Sequence, residues 1–89
     1  MVSYEANIKK SVKKGSLPKD VFMRFNNVFI SLDMTNDLGL FDIKKLQSSG
    51  ERTYYRLRKG KYRAIFYIEN DNYYVISIAK REEVYKRWE

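Results

Sequence analysis

The stretch from Tyr54 to Ala79 constrains the fold more than any other part of the chain. Tyr54-Tyr55-Arg56-Leu57-Arg58 reads as a strand, followed by a tight turn around Lys59-Gly60-Lys61. Tyr62 to Glu69, rich in aromatic and β-branched residues, reads as a second strand. Asn70-Asp71-Asn72 supplies another turn, and Tyr73 to Ala79 a third strand. Connections this short join antiparallel neighbours, so the segment is expected to form a three-stranded meander.

Upstream the periodicity changes from two to nearly four. Tyr4, Ile8 and Val12 predict a short amphipathic helix over Tyr4 to Lys14, with Lys9, Lys10, Lys13 and Lys14 on its other faces and Gly15 as its stop. Ser16 or Leu17 with Pro18 opens a second helix, since proline is tolerated in a first turn. Its stripe of Val21, Phe22, Phe25, Val28, Phe29 and Leu32 requires a broad apolar surface to pack on. Thr35 to Gly39 reads as a loop, and Glu82 to Trp88 as a short C-terminal helix or tail. The expected class is α+β, with two N-terminal helices on one face of a small antiparallel sheet of at least three strands. At 89 residues, one domain spanning 1–89 is expected.

Composition narrows the chemistry. The chain has neither cysteine nor histidine. The usual nitrogen and sulfur ligands of zinc, copper and haem are therefore missing, as is a histidine general base, and no metal or cofactor is expected. No apolar run approaches the ~20 residues of a membrane span, and the N-terminus lacks the apolar core of a secretory signal, so a cytoplasmic location without a membrane partner is expected. The net charge of +7 favours a polyanionic partner.

That charge is concentrated between Arg52 and Arg63, where Arg52, Arg56, Arg58, Lys59, Lys61 and Arg63 occur with no acid among them. Residues two apart on a strand share a face, so Arg56 and Arg58 fall on one side and Tyr55 and Leu57 on the other. Arg63 then lies across the hairpin from them. Three arrangements are open: a solvated strand face, arginines paired with Glu69, Glu82 or Glu83, or an anion site. Guanidinium grips phosphate through two hydrogen bonds, which suits it to a phosphodiester.

These residues resemble a known family. Tyr55-Arg56-Leu57-Arg58-Lys59-Gly60-Lys61-Tyr62-Arg63-Ala64-Ile65-Phe66-Tyr67 is similar to the hairpin of RelE-type toxins of the RelE/ParE superfamily. Leu46 followed by Gly50 resembles the stretch preceding that hairpin, and Ser77 to Glu82 with Val84-Tyr85 resembles the last strand and tail. The chain departs from the family's pattern in three ways. Met1-Val2-Ser3 is too short to assert an opening strand, Ala79-Lys80 stands before Arg81 where many members have histidine, and Arg56 and Arg58 stand where some carry lysine.

The resemblance implies a toxin of a type II toxin–antitoxin system, a metal-free endoribonuclease that cuts mRNA in the ribosomal A site. Such enzymes use a ribose 2′-hydroxyl as nucleophile, so the protein must align that oxygen, stabilise charge on phosphorus and manage two protons. Carried over by position, Arg56 and Arg58 would face the scissile phosphate and Arg63 would clamp it. Arg81 would stabilise the leaving 5′-oxygen, and Tyr85 would orient the nucleotide. Arg52, Lys59, Lys61, Lys80, Lys9 and Lys13 would contact RNA or the ribosome. The implied partners are ribosome, mRNA and a cognate antitoxin whose acidic helix or extended segment covers the basic face. Arginine keeps its proton, which leaves Lys59, Lys61, Lys80, Glu51 or a deprotonated Tyr85 as bases. Alternatives are a ParE-like DNA gyrase inhibitor and a non-catalytic RNA- or antitoxin-binding relative.

Overall fold

A computed structural model describes residues 1–46, 50 and 52–88, with side chains through Val84. The elements are β1 (Val2–Tyr4), α1 (Ala6–Lys14), α2 (Lys19–Thr35), a 3₁₀ turn (Leu38–Leu40), β2 (Ile43–Lys45), β3 (Tyr54–Lys59), β4 (Tyr62–Glu69), β5 (Asn72–Lys80) and α3 (Arg81–Trp88). The strands form one five-stranded sheet in the order β1-β5-β4-β3-β2. β1 runs parallel to its neighbour, β5, and the other described pairs are antiparallel. The class is α+β, as expected.

The meander forms with short turns. Gly60 takes φ 63° between β3 and β4, a region where a Cβ is costly. Asn70 and Asp71 take φ 51° and 62° between β4 and β5, the paired left-handed conformation of a two-residue hairpin turn. Arg81 N–H donates to the Lys61 carbonyl at 3.1 Å, which ties the start of α3 to the β3–β4 turn.

Strand alternation divides the side chains between two environments. On one face Leu57, Ala64, Phe66, Tyr73, Val75 and Ile78 meet Ile8 of α1 and Phe25, Val28, Phe29 and Leu32 of α2. Phe29 and Phe66 meet edge to face at 5.1 Å. The opposite face is partly covered by α3, whose Val84 packs on Ile65 and Leu46. Arg63, Ala64, Ile65 and Phe66 are therefore buried in succession, since β4 has cover on both faces.

The elements differ from the expectations at several points, among them β2, which was not foreseen, and the loop expected over Thr35 to Gly39, where α2 ends at Thr35 and a 3₁₀ turn follows. Tyr4 ends β1 and does not open the helix: Glu5 N–H bonds to the Val75 carbonyl at 3.0 Å, which holds the chain in the sheet until Ala6. A strand does form at Val2–Tyr4, three residues long and stabilised by β5. Pro18 takes an extended conformation as the cap preceding α2, which begins at Lys19.

Two partly polar aromatics pin α2 to the sheet. Tyr4 OH donates to Asn26 Oδ1 at 2.8 Å, and Tyr73 OH to Asn36 Oδ1 at 2.9 Å. Burial, with smaller contributions from Asp33 and Asp71, raises the Tyr73 hydroxyl. Burial pushes the Tyr4 hydroxyl up to about 12.

Two predictions follow the packing. Phe66→Ala should lower stability by about 3–5 kcal/mol in urea unfolding, because the cavity lies between two layers that cannot collapse together. For Tyr4, the folded chain holds the phenolic proton beyond the ~10 of an unfolded tyrosine. Its contribution is complete below pH ~10 and declines as pH rises towards about 12. Tyr4→Phe should melt below wild type at pH 8, and the gap should narrow between pH 10 and 12 in thermal melts followed by circular dichroism.

Candidate functional site

The face away from α1 and α2 is organised in rows set by register. Residues directly opposite on paired strands lie about 4.5–5.5 Å apart at Cβ and point the same way. One row runs Arg58–Arg63–Ala79 across β3, β4 and β5. The next is Lys44–Arg56–Ile65–Ser77, with Lys44 on β2. The third is Tyr54–Tyr67–Tyr74. Tyr55 and Leu57 point into the helix-side core, which confirms the division expected for this strand.

Arg58 and Arg63 are thus direct cross-strand neighbours of like charge, an unfavourable pairing by itself. Asp42 moderates it from the far side. Its carboxylate accepts from Arg58 Nε, and its carbonyl accepts from Arg58 N–H at 3.0 Å. Both side chains are about half exposed, so the ion pair orients Arg58 more than it stabilises the fold.

Arg63 has a different environment. It is 5% exposed, and its Nη1 donates to the carbonyls of Gly60 and Tyr62 at 2.9 Å each. Its Nε is buried without a hydrogen-bond partner. Among the described residues no carboxylate pairs with it. A buried guanidinium satisfied only by its own turn is costly unless an anion completes it. Arg81 stands at the first position of α3, joined through its backbone to the same turn.

Not every candidate joins this cluster. Lys59 and Lys80 lie opposite Tyr62, on the helix side of the sheet's end, while Lys61 is exposed in the turn. Lys9 and Lys13 are exposed on α1, on the other face of the sheet. Arg52 lies over the third row, 3.9 Å above the Tyr67 ring and 3.2 Å from Glu69. Of the expected acid partners, Glu69 therefore pairs with Arg52. Glu51 and the side chain of Tyr85 lie outside the described residues.

Two residues of this face were not among the sequence candidates: Asp42 and Lys44. Both come from the β2 edge. The signal was present in Phe41-Asp42-Ile43-Lys44, where alternate residues are apolar, and Phe41 and Ile43 do pack on the core. Among the described residues no group of three or more His, Cys, Asp or Glu could hold a metal, and no helix is long and apolar enough to cross a membrane.

The arrangement can bind a phosphodiester and stabilise extra charge on it. Asp42→Asn removes the one carboxylate paired with Arg58 among the described residues. The variant should bind a short single-stranded oligonucleotide more tightly. The slope of log K against log salt should steepen by about 0.7, the value of one further phosphate contact, in anisotropy titrations.

No protein-family model matches the sequence, and no curated protein matches it. Solved structures do match, two of them RelE–RelB complexes. One is the RelB–RelE antitoxin–toxin complex from Methanococcus jannaschii, at TM-score 0.70 and 24% identity over 94% of this chain and 95% of that one. The other is the archaeal RelE–RelB complex from Pyrococcus horikoshii OT3, at TM-score 0.70 and 26% identity over 90% and 92%.

Proposed function

We propose that this chain, which has the fold of the RelE-type toxins, is the toxin of a type II toxin–antitoxin system and cleaves mRNA in the A site of the ribosome. The observation that carries the reading is Arg63. It is a buried guanidinium with an unsatisfied Nε, placed directly across from Arg58 on a face rich in cations. Such a site is completed by a phosphodiester.

In this reading the substrate supplies its own nucleophile. The ribose 2′-oxygen attacks phosphorus, the bond to the 5′-oxygen breaks, and a 2′,3′-cyclic phosphate and a 5′-hydroxyl result. Arg56 and Arg58 face the non-bridging oxygens, and Asp42 fixes the angle of Arg58. Arg63 clamps the phosphate from β4. Arg81 stabilises the charge growing on the leaving oxygen, and Tyr85 orients the reacting nucleotide. Guanidiniums held in place before the reaction stabilise the pentacoordinate phosphorus without reorganising, which is where most of the acceleration arises.

The partner that holds such a toxin silent is an antitoxin whose acidic segment lies over the same face. Lys59, Lys61 and Lys80 at the rim, with Lys9 and Lys13 on α1, serve docking on ribosomal RNA. Chemistry at the arginine face and docking by the α1 lysines then use opposite sides of the sheet.

The test adds the purified chain to programmed ribosomes with an empty A site and maps new RNA ends by primer extension. Wild type should cut within the A-site codon, and Arg63→Ala/Arg81→Ala should cut at least about 10²-fold more slowly. Naked RNA should stay intact at catalytic protein concentrations, because the ribosome orders the substrate. Absence of ribosomal cleavage by folded, antitoxin-free protein would overturn the reading, and inhibition in a gyrase supercoiling assay would replace it.

A further inference from the structure

We propose that Lys44 is the proton acceptor for the 2′-hydroxyl, an inference that rests on the ribonuclease reading above. Transesterification needs a group that takes a proton, and arginine as a residue type does not give one up to make room. Arg56, Arg58 and Arg63 can hold the phosphate but cannot begin the reaction.

The sheet brings a lysine to them. β2 pairs with β3 so that Lys44 lies directly opposite Arg56, in the row beside Arg58–Arg63. Lys44 is exposed, and no hydrogen bond or ion pair engages it among the described residues. The register sets its side chain beside that of Arg56 on the same face of the sheet, within reach of an anion held by the arginines. Asp42, the nearest acid on the same edge, is already held by Arg58.

Lysine on an edge strand also discourages pairing with another sheet. Lys45 meets that purpose equally and lies opposite Tyr55, on the helix side. Lys44 alone of the two shares the arginine face. Lys59 and Lys80, which flank Tyr62, are on the wrong side for the same task.

The step balances simply. Neutral Lys44 Nζ takes the 2′-hydroxyl proton as the 2′-oxygen bonds to phosphorus. The phosphorus–O5′ bond breaks, its electron pair stays on O5′, and a solvent water supplies the proton that makes the 5′-hydroxyl. The Lys44 ammonium then returns its proton to solvent.

The absence of cysteine from the chain permits a direct test. Single-turnover cleavage on programmed ribosomes is measured for wild type, Lys44→Ala, Lys44→Arg and Lys44→Cys, with ribosome affinity and urea midpoint measured beside it. All three variants should keep affinity and midpoint and lose about 10²–10⁴-fold in rate. Alkylating Lys44→Cys with 2-bromoethylamine, which rebuilds an amine of nearly lysine length, should restore most of the rate. Wild-type rate in Lys44→Arg would overturn the proposal, since charge alone would then suffice. So would a failure of the amine to rescue, or an equal rate in Lys44→Ala with the loss appearing in Glu51→Gln or Tyr85→Phe. If wild type itself does not cut, the ribonuclease reading fails, and this proposal with it.

Discussion

The antiparallel pairing of β3 with β4 is the constraint on which the rest depends. It places Leu57 against Ala64 and Tyr55 against Phe66 on the helix side, and Arg58 against Arg63 on the other. A slip of one residue would drive guanidiniums into the Phe29–Phe66 contact and expose the core. Hydrophobic burial on one face therefore enforces charge proximity on the other. The arginines do not select their own arrangement. They are carried into it by Leu57, Ala64 and Phe66.

That arrangement opposes stability locally. Two like charges face each other across a strand gap, one of them nearly buried, and Asp42 relieves only the exposed member. Carbonyls of Gly60 and Tyr62 hold Arg63 without neutralising it. Folding tolerates this because the same hairpin is covered on both sides, by α1 and α2 beneath and Val84 above. The unfavourable pairing sits where an anion would remove it, and on the proposed reading that anion is the substrate phosphate.

How much of this was legible depended on segment length. β4 matched its sequence reading at both ends, and Gly15 caps α1 as read, because long alternation and a left-handed glycine are local signals. β1 and β2 are three residues each and exist through their neighbours, so propensity alone cannot announce them. Tyr4 fitted a helical spacing with Ile8 and Val12, yet its backbone is claimed by β5. The arginine face followed from alternation, whereas Asp42 and Lys44 required the register of β2. A pairing over sixteen positions, as between Asp42 and Arg58, is long-range information that no local window contains.

The division of charge also bears on how one surface can serve two partners on the proposed reading. Arg63 is too buried to follow a ligand, so whatever completes it must reach down to the β3–β4 turn. Arg58 is oriented by the Asp42 ion pair, which an incoming anion can replace at small cost because both groups are half exposed. A substrate phosphate and an acidic antitoxin segment would satisfy the same two guanidiniums, and occupancy by one excludes the other. Inhibition then requires no conformational change in the sheet. It requires only that carboxylates take the place of the phosphate, since the core beneath holds the two guanidiniums in the same positions for either.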